Sequence, residues 1–178
     1  MRAHLDRLYD LSGVVAAGFL ALIALTVLVQ VAFNLVDAVA LAVTGRAVGL
    51  VLPSYAEFTG YFLATSSFLA AAHTLRRGAH IRVSLVLQRL GPRARQVAEV
   101  WCGGVGALLG LYFTGWMWAL VEESLRFGDL SPGLIPVPIW IPQAGMALGL
   151  TVFTVALIDA CVSAIRGETI TDAPEGEF

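Results

Sequence analysis

Histidine is a common ligand of metals and haem, and this chain of 178 residues has only three. His4 lies in a charged N-terminal stretch, His80 lies in a basic connector, and only His73 falls within a predicted helix, near its end. A haem-carrying four-helix membrane protein with bis-histidine ligation needs two axial histidines inside its spans. One histidine cannot supply them, so the sequence argues against a haem or redox function.

The remaining reactive residue types also lack the spacing of known sites. Cys102 and Cys161 lie in apolar stretches without zinc or disulfide spacing, and we interpret them as small buried side chains. No P-loop, HExxH or CxxC motif occurs. We therefore predict that the chain is not an enzyme and has no catalytic residues, no metal site and no cofactor.

The composition is that of an integral membrane protein. Hydrophobic residues make up 58% of the chain and charged residues 13%, with a mean hydropathy of +0.80, whereas soluble domains carry about 25% charged residues. The charged residues lie near the ends of the apolar stretches. Transport pathways usually have ionisable groups or broken helices near the membrane midplane, so the sequence offers little support for a self-contained carrier.

Four apolar stretches have the length of bilayer-spanning helices, about 20 residues each. They predict an all-α integral membrane protein with four transmembrane helices, forming a single membrane domain over residues 1–178. The predicted helices cover residues 11–36, 55–75, 97–121 and 139–165, and the acidic tail 167–178 is predicted to be disordered. A cleaved signal peptide is the alternative for the first stretch, although signal-peptide apolar cores are only about 7–15 residues long. Residues 38–52 either extend the first helix or lie along the interface.

The connector between the second and third helices, residues 76–96, is the most basic part of the chain. It contains six of the eleven basic residues: Arg76, Arg77, Arg82, Arg89, Arg93 and Arg95. With four spans, the connector and both termini share one side, and only Arg46 and Arg126 lie on the other. The positive-inside rule predicts that both termini and the connector are cytoplasmic. Residues 81–90 mix apolar and polar side chains, which predicts an amphipathic helix at the membrane surface, with headgroup contact for most of the arginines.

Polar residues mark two places where a partner could bind. Gln30, Asn34 and Asp37 fall on one face near the far end of the first helix. A polar face at membrane depth should point at protein, so it either contacts a partner or forms an interfacial polar end. Ser54 and Glu57 have capping-box spacing at the start of the second helix. A role for Glu57 in docking another protein is the alternative.

Small residues recur on the third and fourth helices. Gly106 and Gly110 form one GxxxG motif, and Gly145 and Gly149 form a second. Small residues let helix backbones approach closely in a membrane, where no hydrophobic effect drives association. We expect these faces to pack closely, within the chain or against a partner.

Several segments together resemble the DctQ-like small permease subunit of tripartite ATP-independent periplasmic (TRAP) transporters. They are a glutamate at the start of the second helix, Phe68-Leu-Ala-Ala-Ala, Arg77-Gly78-Ala-His80-Ile-Arg82-Val, Leu90-Gly-Pro-Arg-Ala-Arg95, and the proline-rich segment Ile135-Pro-Val-Pro138-Ile-Trp-Ile-Pro142. The resemblance covers roughly residues 5–166, and its most specific part is the segment around His80.

The resemblance implies a function and a set of partners. The small subunit would pair in the bilayer with a large multi-spanning permease subunit, and a periplasmic solute-binding protein would deliver the substrate, commonly an organic acid with a carboxylate. Import would be driven by an ion gradient without ATP, and no nucleic acid would be involved. The small subunit would brace the large one, with Arg76, Arg77, His80 and Arg82 fixing the cytoplasmic face.

The sequence departs from the family pattern at two positions. After Glu57 the family often has a second acid and an arginine, whereas this chain reads Phe-Thr-Gly-Tyr. Ser84 stands where the family often has Asp, which keeps the ability to cap a helix but loses the charge. The alternative to a TRAP subunit is a stand-alone four-helix inner-membrane protein, either an exporter or an assembly factor.

Overall fold

The computed structural model describes residues 2–77 and 91–166. Four α-helices make up most of this part: α1 Arg2–Thr44, α2 Tyr55–Arg76, α3 Pro92–Phe127 and α4 Trp140–Ile165. The predictions for the amphipathic helix, Gly78, His80, Arg82, Ser84 and the disordered tail fall outside the described residues. Within them, the prediction of an all-α protein with four main helices is confirmed.

Three of the helices are long and apolar enough to cross a membrane: His4–Thr44, Ala94–Phe127 and Trp140–Ile165. The helix α2 has 22 residues, or about 33 Å at 1.5 Å per residue, so its length is sufficient. Its apolar content is lower, because it contains polar residues such as Thr65 and Ser66, both of which are buried. By length and composition, three of the four predicted spans are therefore candidate membrane-spanning helices.

The helices pack side by side in the order α3–α4–α2–α1. The helix α4 contacts both α3 and α2 extensively, and α2 also packs along α1. The helices α1 and α2 are antiparallel, and so are α3 and α4. The helices α2 and α4 run parallel, with Gly145 beside Thr65 and Gly149 beside Leu69. One end, which we call the basal end, holds the start of α1 and the end of α4. The opposite, distal end holds the start of α2 and the loop between α3 and α4.

Small residues line the contacts of α4 on both sides. A Cβ added at Gly110 of α3 would lie 2.8 Å from Thr154 Oγ1, and one at Gly106 would lie 3.4 Å from Leu157 Cδ2. A Cβ at Gly145 would lie 2.9 Å from Thr65 Oγ1, whereas one at Gly149 would meet the backbone of α2. Both GxxxG motifs therefore allow close helix packing within the chain.

The helix α1 is longer than predicted at both ends. It has 43 residues, or about 65 Å, so the charged N-terminal stretch is its first turns and residues 38–44 are its last. The chain then turns back along α1 through a return segment, residues 45–54, with positive φ at Gly45 (70°) and Gly49 (80°). Leu52 N donates to Gln30 Oε1 at 3.0 Å, so α2 starts near the level of Gln30. Residues 31–44 of α1 therefore project beyond the start of α2.

Candidate functional site

The polar face of α1 binds the return segment. Asp37 Oδ1 accepts hydrogen bonds from Val48 N at 3.1 Å and Gly49 N at 3.0 Å. Gln30 Oε1 accepts from Leu52 N at 3.0 Å, and Gln30 Nε2 donates to Asn34 Oδ1 at 3.0 Å. Of the three residues predicted to form a partner contact or an interfacial end, Asp37 and Gln30 thus bind backbone groups of the same chain, and Asn34 binds the Gln30 side chain. Sequence reasoning missed this role because backbone N–H donors have no residue-specific pattern.

The projecting part of α1 also has an apolar surface. Val31, Leu35, Val39 and Val43 are 56%, 64%, 55% and 79% exposed. In addition, Val48 and Val51 of the return segment are more than half exposed. Exposed apolar side chains in a continuous stretch are typical of contacts with protein or lipid.

The predicted capping box at the start of α2 is wrong. Ser54 is the N-cap residue, but its φ of 56° is left-handed, and it makes no side-chain cap hydrogen bond among the described residues. Its Oγ instead accepts a hydrogen bond from Ile135 N at 3.1 Å. The competing interaction comes from the loop between α3 and α4, which sequence spacing alone could not reveal.

Glu57 is the centre of a hydrogen-bonded cluster at the distal end. Tyr61 Oη donates to Glu57 Oε1 at 2.6 Å. The carboxylate also bonds the Ser131 and Ser54 hydroxyls and the backbone N–H of Gly133. A Cβ at Gly133 would overlap the Glu57 carboxylate, so only glycine allows the loop to approach this closely. We call these five residues the Glu57 cluster.

The proline-rich segment is thereby attached to α2. Ser131 N donates to Val137 O at 2.8 Å, and an isolated bridge pairs Leu130 with Pro138, so the segment folds back on itself. Pro142 lies in the first turn of α4, where a helix has no intrahelical partner for its N–H groups. Residues 130–138 thus form a short, hydrogen-bonded hairpin before α4.

Ion pairs join three helices at the basal end. Arg76 Nη2 lies 2.9 Å from Asp6 Oδ1 of α1, and Arg76 Nη1 lies 3.9 Å from Asp159 Oδ2 of α4. Arg77 Nη2 donates to Asp10 Oδ1 at 3.4 Å. We call these five residues the basal ionic cluster. At least two of the connector's arginines therefore have acidic partners within the chain.

The first turns of α1 pack closely against α2 beside this cluster. Tyr9 is 1% exposed, and a Cβ at Gly13 would lie 2.7 Å from His73 Cγ. His73 Nδ1 is 3.4 Å from Asp10 Oδ1 but is not aligned for a hydrogen bond. Sequence reasoning missed Asp6 and Tyr9 because they lie before the predicted start of the first helix at residue 11. The spacing of Asp6, Tyr9 and Gly13 by three and four residues nevertheless fits one helix face.

The basal ionic cluster joins helices through ion pairs, and the Glu57 cluster joins α2 to the loop before α4 through hydrogen bonds. Among the described residues, no group of three or more His, Cys, Asp or Glu side chains could hold a metal ion. The two clusters fix the positions of these helices at the basal end and at the distal end.

A comparison with protein families matches residues 35–167 to "Tripartite ATP-independent periplasmic transporters, DctQ component". The chain belongs to the DctQ family. The match includes the Glu57 cluster, Arg76, Arg77 and Asp159, whereas Asp6 and Asp10 lie outside it. Comparisons with curated proteins and with solved structures gave no match.

The family assignment confirms the resemblance that the sequence motifs indicated. A DctQ protein is a component of a transporter, not a member of an enzyme family. Together with the apolar helices, membership supports a multi-pass inner-membrane protein that works with a large permease and a solute-binding protein.

Proposed function

We propose that this DctQ protein braces the large permease subunit of a TRAP transporter. The transporter would import an organic acid with a carboxylate, delivered by a periplasmic solute-binding protein and driven by an ion gradient without ATP. The observation that carries the proposal is the family match over residues 35–167. The substrate class and the energy source rest on the family resemblance.

A brace must keep its shape while its partner moves, and the helix contacts support this role. The basal ionic cluster connects α1, α2 and α4, and the Glu57 cluster connects α2 to the loop before α4. Between these ends, glycines bring α4 close to both neighbours. Connections at both ends and along the middle oppose sliding of one helix past another.

The projecting part of α1 is the surface that we propose for the partner proteins. The polar face at Gln30 and Asp37 is occupied by the return segment. The exposed valines and leucines of residues 31–44 stay available, and they lie beyond the start of α2. We propose that the large subunit covers them on the periplasmic side, next to the Glu57 cluster.

We propose that all four helices cross the membrane, with the basal end in the cytoplasm. The positive-inside rule favours this orientation, and buried polar residues such as Thr65 make the lower hydropathy of α2 compatible with a span. The test uses a variant without Cys102 and Cys161. Leu134→Cys should react with a membrane-impermeant maleimide from the periplasm, and Arg95→Cys should react only after permeabilisation. The opposite labelling pattern would refute the orientation.

The subunit role is tested by co-purification of the full chain with the large permease subunit. We expect a stable complex, and we expect paired Arg77→Glu and Arg82→Glu substitutions to lower its yield and substrate uptake. Arg126→Glu at the distal end is the control. Wild-type yield and uptake in the paired variant would refute the role of these arginines. A chain that purifies only as a monomer or homo-oligomer would favour the stand-alone alternative.

A further inference from the structure

An apolar groove lies at the basal end between the start of α3 and the end of α4. Its volume is about 400 Å³, and it is lined by Gln96, Val97, Val100, Trp101 and Ile165. Val97, Trp101 and Ile165 are 69%, 71% and 59% exposed, so the lining faces the surroundings of the protein.

The single polar lining residue is already used within the chain. Gln96 Nε2 donates to Ala164 O at 3.3 Å and to Ile165 O at 3.5 Å, the last carbonyls of α4. These bonds hold the ends of α3 and α4 together and leave the rest of the lining apolar. A ligand in this groove would therefore contact hydrocarbon and indole surface.

Two cations flank the apolar lining. Arg95 precedes Gln96, and Arg166 follows Ile165. Arg95 Nε donates to Glu99 Oε1 at 3.1 Å, an exposed pair of the kind that contributes little to stability. No acidic partner of Arg166 is found in the part of the chain that the structure describes. Among these described residues, Arg95, Arg166 and Glu99 together carry one net positive charge.

We propose that this groove binds an anionic phospholipid. One acyl chain lies against Val97, Val100 and Trp101, and the headgroup phosphate lies between Arg95 and Arg166. The combination of an apolar lining with flanking arginines at the end of two membrane-spanning helices matches an amphiphile with a negative headgroup. A neutral phospholipid would match only the lining, and free phosphate would match only the arginines.

The test uses tryptophan fluorescence of the full chain in vesicles. The chain has four tryptophans, so replacing three with Phe leaves Trp101 as a single reporter. A second variant that keeps only Trp116, which is 63% exposed near the distal end of α3, is the matched reporter. Two sets of vesicles are compared, one containing brominated phosphatidylglycerol and the other the same fraction of brominated phosphatidylcholine. Bromine quenches tryptophan fluorescence on contact, so quenching reports which lipid lies beside the reporter.

We expect brominated phosphatidylglycerol to quench Trp101 more strongly than brominated phosphatidylcholine, and we expect Trp116 to show no such preference. Each Arg→Gln substitution at Arg95 or Arg166 should lower the preference at Trp101 about fivefold, the effect of one basic residue near an anionic surface. Arg126→Gln is the matched control, since Arg126 forms the same type of pair with Glu122 at 2.9 Å on the distal part of the same helix.

Three outcomes would overturn the proposal. Equal quenching of Trp101 by both lipids would exclude selection of an anionic headgroup. Quenching of Trp116 but not Trp101 by either lipid would mean that protein covers the groove. Displacement of the brominated lipid by inorganic phosphate would assign the arginines to a free anion. Native mass spectrometry of the unsubstituted chain gives an independent measurement, in which retained phosphatidylglycerol is expected and should decrease in the Arg166→Gln variant.

Discussion

Gly149→Ala tests whether backbone contact between α2 and α4 holds the row of helices together. A Cβ at Gly149 would lie 2.7 Å from Leu69 N and 2.8 Å from both the carbonyl carbon and the Cβ of Phe68. Ordinary contacts begin near 3.4 Å. Because two of the three atoms belong to the backbone, a rotamer change cannot relieve the overlap, and α2 must move away from α4.

The expected cost follows from this displacement. Overpacking of a well-packed contact costs about 1–3 kcal/mol. Replacing a helical glycine with alanine returns up to about 1 kcal/mol of helix propensity. We therefore expect Gly149→Ala to lower the free energy of unfolding by about 0–2 kcal/mol, and by about 1–3 kcal/mol relative to Gly115→Ala, which gains the same propensity without the overlap.

Two other glycines give matched comparisons. Gly115 of α3 has no atom of the described chain within 4 Å of its added Cβ, so Gly115→Ala should be neutral or slightly stabilising. Gly145→Ala would meet only the Thr65 side chain, at 2.9 Å, so adding Thr65→Ala should relieve it. No side-chain truncation should fully relieve Gly149→Ala.

The assay is unfolding of the detergent-solubilised full chain by increasing mole fractions of SDS. Far-ultraviolet circular dichroism and tryptophan fluorescence report the transition for each variant. If Gly149→Ala unfolds at the same SDS fraction as Gly115→Ala, the close contact between α2 and α4 does not exist. If Thr65→Ala fails to rescue Gly145→Ala, the assignment of that contact to the threonine side chain is wrong.

Three further predictions concern polar contacts. Asp37→Ala removes two hydrogen bonds to the return segment, each contributing about 1 kcal/mol, so amide hydrogen exchange at Val48 and Gly49 should accelerate at least tenfold. Asn34→Ala should leave exchange at these two amides unchanged, and equal exchange in both variants would contradict the role of the carboxylate. Glu57→Gln removes the charge from the Glu57 cluster, so added protease should cleave the loop between α3 and α4 at least several-fold faster, and an unchanged cleavage rate would count against this attachment. Asp6→Asn should destabilise the protein towards SDS by at most about 1 kcal/mol, because its ion pair with Arg76 is partly exposed. Asp159→Asn should cost less, because its carboxylate lies 3.9 Å from the same arginine, whereas that of Asp6 lies 2.9 Å away. A larger loss of stability in Asp159→Asn than in Asp6→Asn would contradict this ranking.

Local sequence features were enough to predict the class of protein and its family. Apolar stretches of bilayer length predict membrane helices because each helix satisfies its own backbone groups in lipid. The segment around His80 and the proline-rich segment before α4 indicated the DctQ family, and the family match agrees. The glycine spacing indicated close packing, because a residue without a side chain allows close approach by whichever helix packs against it.

The polar contacts depended on segments that are distant in the sequence. Asp37 binds the return segment, Ser54 binds the loop after α3, and Arg76 joins α1 to α4. Each of these side chains has several possible partners of suitable chemistry, and hydropathy and spacing do not distinguish among them. Only the folded arrangement of the helices brings one partner within hydrogen-bonding distance, which is why the capping box was a reasonable but incorrect prediction.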